Sequence, residues 1–216
     1  MHLIQLLSTL SFAGSLAAAA PILQPRAATA ASIVQQIAPA SASCSGAPAG
    51  DECATASQAA PFLIQAMVDY KLYAPGQIAA VLSLIAFETG DLKYNKNHYP
   101  GRPGQGTRNM QMAEYNLAYA LSIPDLAPKA QAIAPSGVAG LSDDKLNAIL
   151  ALVTPDQYSW GSAAWYLTTK CEASVVSGLQ SGTDAAYQAY LGCVGTSSTP
   201  ERLAYWTRAK AAFGLS

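Results

Sequence analysis

A mainly α-helical domain is predicted by three observations: apolar residues recur at helical spacing, capping residues stand before several of those runs, and strand-type alternation is lacking. The exception is a polar stretch rich in Gly and Pro, residues 91–109, which reads as a long irregular loop or a small β element. Loops of that length inside a compact domain are uncommon and often functional.

The chain opens with an apolar run, Leu3 to Leu16, ending in Ala17-Ala18-Ala19-Ala20. Residues 1–20 therefore read as a secretory signal: the run is too short to span a bilayer, which needs about 20 apolar residues, and small residues suit the cleavage site. Residues 21–42, rich in Ala, Pro and Ser with Arg26 as the one charge, read as a pro-segment or linker. Residues 43–216 are then one domain, long enough to bury its own core. The expected product is a secreted, extracellular protein without a membrane anchor, and a monomer.

All four cysteines, Cys44, Cys53, Cys171 and Cys193, follow the signal. An even count in an exported chain favours disulfides over metal ligation or a free thiol. Of the three possible pairings, the simplest joins Cys44 to Cys53 and Cys171 to Cys193.

Helices follow in order. Thr55 or Ser57 caps a segment to about Lys71, and Pro75 opens a second that ends at Gly90. From Ile78 to Phe87 that second helix carries only Ser83 as a polar residue, so it is expected at the centre of the domain. Further helices are expected near 110–122, 142–153 (with Ser142 as cap), 158–170, 183–192 and 199–213 (Thr199 cap, Pro200 in the first turn).

Elimination narrows the chemistry. Charged residues are only 12% and the net charge is −1, which argues against a nucleic-acid partner. His98 is the one histidine after the signal, and no serine sits in a G-x-S-x-G elbow. Clustered metal ligands and a phosphate loop are also lacking, so neither metal nor cofactor is expected. Carboxylate chemistry remains, and Glu88 stands out. It is the only ionisable residue of its helix, in line with Val81, Leu84 and Ile85. At the end of a buried apolar helix it is expected to be poorly solvated and to hold its proton, as a donor to a glycosidic oxygen must. The plain alternative is a Glu that holds the helix-end turn or points to water.

The stretch Leu84-Ile85-Ala86-Phe87-Glu88-Thr89-Gly90, with Gly106-Thr107-Arg108-Asn109-Met110-Gln111-Met112 about twenty residues on, resembles the lysozyme-like superfamily. The pattern is nearest to goose-type lysozymes and lytic transglycosylases, and Ala163 to Leu167 resembles their later aromatic-bearing helix. The resemblance implies a lysozyme-like fold and a muramidase-type enzyme cutting β-1,4 bonds of peptidoglycan. Glu88 would be the catalytic acid, Gln111 a cleft-lining amide and Tyr166 the cleft aromatic. Asp91 is the nearest candidate for a second carboxylate, although a single-Glu transglycosylase mechanism needs none.

In the loop, Lys93, Lys96, Arg102 and Arg108 face one acid, Asp91, giving either a positive rim for an anionic polymer or a solvated surface. Tyr94, His98, Arg108, Asn109, Gln111 and Tyr166 are the expected substrate-binding residues. Tyr94, Tyr99 and Trp160 are candidate sugar-stacking rings, and Met110 and Met112 are expected to pack. Competing expectations are a chitinase or chitosanase of the same fold and a non-catalytic wall-binding protein.

Overall fold

A computed structural model describes the backbone from Ala20 to Ser216 and side chains from Thr29 onward. The segment read as a secretory signal lies outside the described residues apart from Ala20. The fold is mainly α-helical, as the pattern of apolar residues predicts, and no named strand occurs among the described residues.

The first helix, α1 (Ala20–Ile37), continues into a 3-10 turn, Pro39–Ala42. Residues 21–42 are therefore not a loose linker. Alanine is the strongest helix former, and the helix buries Val34 and Ile37 while the turn buries Ser41. Three contacts clamp its end: Ala40 N–H donates to Asp91 Oδ2 (2.8 Å), Lys93 Nζ to Ala40 O (2.7 Å) and Arg208 Nε to Ile37 O (2.7 Å).

Helix α2 (Ala56–Asp69) begins in a reciprocal capping box. Thr55 N–H donates to Gln58 Oε1 (2.8 Å) and Gln58 N–H to Thr55 Oγ1 (3.3 Å), a device worth about 1 kcal/mol. Helix α3 (Pro75–Glu88) is buried from Gly76 to Ala86 except at the half-buried Ile78, in keeping with its lack of a polar face. Gly76 is required there: an added Cβ would lie 2.1 Å from Leu179 O. Thr89 closes the helix, its hydroxyl donating to Ile85 O (2.6 Å) and accepting from Leu92 N–H (2.9 Å).

The loop after α3 is held by isolated bridges between Lys96 and Gly106 and between Gly106 and Gln111. Helices α4 (Ala113–Ser122), α5 (Ala127–Ile133), α6 (Asp143–Val153), α7 (Asp156–Ser159), α8 (Ser162–Lys170), α9 (Ala173–Gly178), α10 (Asp184–Cys193) and α11 (Pro200–Phe213) follow. The helix expected over 158–170 is broken at Trp160-Gly161. Gly161 lets the tyrosines of neighbouring helices approach, since a Cβ there would meet Tyr119 Oη at 2.8 Å. Helices α5 and α9 are too short to show a periodicity.

Two apolar clusters form the core. One gathers α1, α2, α3, α10 and α11 around Val81, Leu84, Ile85, Tyr187 and Trp206. The other gathers α4, α5 and α6 around Leu117, Ile149, Leu150 and Val153. Helix α8 belongs to both, giving Ala163, Ala164 and Leu167 to the first and Trp165 and Tyr166 to the second. Disulfides join Cys44 to Cys53 and Cys171 to Cys193, so each closes a local loop.

Candidate functional site

A polar groove runs between the two clusters, and Glu88 stands at its middle. A cavity of about 250 Å³ on one side is lined by Glu88, Arg102, Asn109, Gln111, Tyr115, Tyr166 and Arg202 among others. A second, of about 340 Å³, is lined by Glu88, Tyr94, Lys96, His98 and Tyr99 among others. Glu88, Gln105 and Met110 line both.

Glu88 is not the uncompensated carboxyl that its apolar helix suggests. Its Oε1 accepts from Arg202 Nη1 at 2.7 Å, and the two side chains are 20% and 13% exposed. Arg202 is set by α11, whose first turn is capped by Thr199, and its guanidinium lies 4.1 Å over the Phe87 ring. The carboxylate is thus balanced by a permanent cation rather than left in an apolar pocket.

The wall opposite is a ladder of amides. Ser162 Oγ donates to Asn109 Oδ1 (2.8 Å), Asn109 Nδ2 to Gln111 Oε1 (3.2 Å), and Gln111 Nε2 to Asn116 Oδ1 (2.8 Å). Asn116, fully buried, ends it by donating to Gly104 O (2.8 Å). Each amide is oriented by the next, so the donor and acceptor pattern facing the groove is set before any ligand arrives. Gln105 differs: its Nε2 donates to Met110 O (2.9 Å), whereas its buried Oε1 has no partner among the described residues. Tyr115 and Tyr166 meet edge to face at 4.8 Å, and burial, aided by Tyr115 and the Glu114 charge, raises the Tyr166 phenol above its ordinary range. Beneath them, the fully buried Tyr190 hydroxyl is unpartnered among the described residues, and burial also pushes it up.

The predicted site residues divide three ways. Glu88, Asn109, Gln111 and Tyr166 share the first cavity; Tyr94 and His98 line the second. Asp91 and Arg108 line neither. Asp91 is occupied in the clamp, accepting from Tyr205 Oη (2.7 Å) as well as Ala40 N–H. Arg108 is 2% exposed; it lies 4.1 Å over Trp160 and donates to Tyr94 O (3.1 Å), so it braces the loop from inside. Trp160 is equally buried and is no groove platform, whereas Met110 and Met112, expected as packing residues, line the groove.

The expected positive rim is largely spent internally, Lys93 on backbone carbonyls and Arg108 on the loop. Glu52 is the residue that sequence reasoning missed. It is 5% exposed and accepts from Asn95 N–H (2.9 Å), Lys96 N–H (3.1 Å) and His98 Nε2 (2.9 Å), tying the loop to the Cys44–Cys53 hairpin. Its place beside Cys53, a residue held by a disulfide, was the one available signal.

Comparison with known proteins adds one relative. The chain is 50% identical over 173 residues to a "Bifunctional dioxygenase (DOX)-epoxy alcohol synthase (EAS)" of Fusarium oxysporum (strain Fo5176). That alignment takes in 80% of this chain but only 13% of the relative. No protein-family profile matches the chain, and no solved structure matches it. The relative's name describes oxygenation and epoxy alcohol synthesis, and it overturns the expectation of a muramidase-type, chitinase-like or chitosanase-like glycoside hydrolase. The Glu88–Arg202 pair is the physical counterpart of that correction, because the uncompensated acid on which the expectation rested is not present.

Proposed function

We propose that the chain is an exported binding module whose groove holds an extended, hydroxyl-bearing ligand, and that its counterpart in the Fusarium protein serves an oxygenase as such a module. The observation that carries this reading is Gln105 Oε1, a buried acceptor without a partner among the described residues, on a side chain that lines both cavities. An unpaired buried acceptor costs about 1–3 kcal/mol, which a ligand O–H placed beside it recovers. The oriented amides of Asn109 and Gln111 continue the polar wall, and Tyr94 and Tyr166 supply aromatic surface.

The match takes in 13% of the relative, so the likeness is to one segment of that protein, which supports reading this segment as a module. The paired cysteines support an oxidising, extracellular setting.

The shared chemistry, a chain bearing hydroxyl groups, has two sources: an oligosaccharide, or an epoxy alcohol of the kind the relative's name prints. Amide-resolved NMR titration with cellohexaose in one arm and a long-chain epoxy alcohol in the other separates them. One arm is expected to shift the side-chain amides of Gln105, Asn109 and Gln111. Gln105→Leu is expected to weaken that binding about 10-fold, the equivalent of about 1.4 kcal/mol. Saturable binding elsewhere, or none in either arm, overturns the reading.

A further inference from the structure

An apolar pit of about 270 Å³ opens between α1, α2, α3 and the end of α11, and it shares no lining residue with the groove cavities. Its floor is Val34, Leu63, Met67, Leu72 and Leu82, all of them buried. Ile33, Ile64, Ile78 and Phe213 rise from it as half-buried walls. No charged or amide side chain lines the pit, and its one polar side-chain group is the Tyr73 hydroxyl.

The α2–α3 turn makes the mouth. Lys71 takes a left-handed backbone conformation (φ 56°), and Leu72 N–H donates back to Met67 O (2.9 Å). That turn sends Leu72 inward, 1% exposed, and Tyr73 outward, 66% exposed. Val68, at 50%, is the other exposed apolar residue of the rim. The Tyr73 hydroxyl donates to Val68 O at 3.4 Å, a long bond that leaves it within reach of a ligand at the mouth.

Shape and chemistry select the occupant. A stable protein interface buries about 1,200 Å² or more, whereas only Val68 and Tyr73 offer exposed apolar surface here, so a second copy of the chain is disfavoured. An extended peptide would bring in N–H and C=O groups that nothing in the pit can pair. One helical turn, about 10 Å across and about 5.4 Å high, is larger than the pit. A saturated hydrocarbon chain meets neither obstacle. A cavity of about 150 Å³ accepts benzene, so this one has room for about ten carbons. We infer that the pit binds a single straight alkyl chain of about ten carbons, whose polar end stays at the mouth beside the Tyr73 hydroxyl.

Methyl NMR of the full protein, titrated with straight-chain primary alcohols from butanol to dodecanol, tests this. The methyl signals of Leu63, Met67 and Leu82 are expected to shift saturably, while the side-chain amides of Gln105, Asn109 and Gln111 stay in place. Affinity is expected to rise about 4-fold per added methylene and to level off beyond about ten carbons, once the pit is full. Val68→Asp puts a charge at the exposed rim and is expected to weaken octanol binding at least about 5-fold without moving the unfolding midpoint. Ala30→Phe, which fills the pit from its α1 wall, is expected to weaken it about 10-fold or more. Affinity that climbs evenly past ten carbons with shifts spread over the surface overturns the inference, as does the absence of methyl shifts at saturating octanol in folded protein. Shifts of the groove amides by the same alcohols overturn it in favour of the groove. Shifts of the pit methyls with protein concentration alone, abolished by Val68→Asp, overturn it in favour of a second copy of the chain.

Discussion

Glu88 and Arg202, 114 residues apart in the chain, meet at 2.7 Å in the wall of the groove. The pair joins the last residue of α3 to the first turn of α11 and is only partly exposed. Breaking a pair in that setting costs more than at an open surface, and about 2 kcal/mol lies between the two regimes. Arg202→Met, which removes the guanidinium from both Glu88 and the Phe87 ring, is expected to destabilise the fold by about that much in urea unfolding. Glu88→Gln should cost less, because an amide oxygen still accepts from the guanidinium. The double-mutant coupling should be about 1 kcal/mol and shrink in high salt.

The amide ladder yields a second prediction. Asn116 is fully buried and supplies both the acceptor for Gln111 Nε2 and the donor to Gly104 O. Asn116→Leu preserves volume approximately but leaves two buried polar groups without partners. A loss of about 2–4 kcal/mol is expected, with broadened side-chain amide signals from Asn109 and Gln111. Unchanged stability with sharp signals would show that the ladder does not orient the groove.

Much of the helical frame was legible because its signals are local. Thr55, Thr199 and Pro200 mark the starts they were expected to mark, and the apolar run from Ile78 to Phe87 is at the centre of the domain. Residues 21–42 misled because their Ala and Pro content suits a linker as well as a helix; only the burial of Val34 and Ile37 decides. Glu88 and Gln111, singled out from their neighbours in sequence, line one cavity, but what compensates Glu88 left no local sign. Arg202 is an ordinary helix-surface arginine by sequence, and pairing across 114 residues leaves no local trace. The same holds for Glu52, which beside Asp51 resembles a solvated turn and is instead a buried acceptor for the loop.

Alkaline pH offers a third test. Burial raises Tyr70, Tyr187 and Tyr190, and pushes Tyr205 up to about 12, with the hydrogen bond to Asp91 adding to the effect. A phenol whose value is raised on folding holds its proton longer in the native state than in the unfolded chain. Its contribution is therefore complete below the ordinary value of 10 and is lost as pH climbs toward the raised one. Stability measured by denaturant midpoint should be flat up to about pH 10 and fall steeply above it. Tyr205→Phe should remove part of that slope and, by releasing Asp91, loosen the clamp on residues 39–42.

The disulfides separate global from local anchoring. Loop closure in the unfolded chain scales with the logarithm of length, so the Cys171–Cys193 bridge, with a separation of 22, should contribute about 3.4 kcal/mol. The Cys44–Cys53 bridge, with a separation of 9, should contribute about 2.6 kcal/mol on the same basis. Entropy alone therefore ranks the Cys171–Cys193 bridge higher. The Cys44–Cys53 bridge has a further task, because it adjoins Glu52, whose carboxylate holds Asn95, Lys96 and His98. Replacing Cys171 and Cys193 by Ala should lower the unfolding free energy throughout the domain and free the Val194–Thr196 wall of the first groove cavity. Replacing Cys44 and Cys53 should cost less globally yet accelerate hydrogen exchange selectively at Asn95 and Lys96. Should both variants lose protection uniformly, the loop after α3 is held by the fold as a whole and not by the Glu52 hairpin.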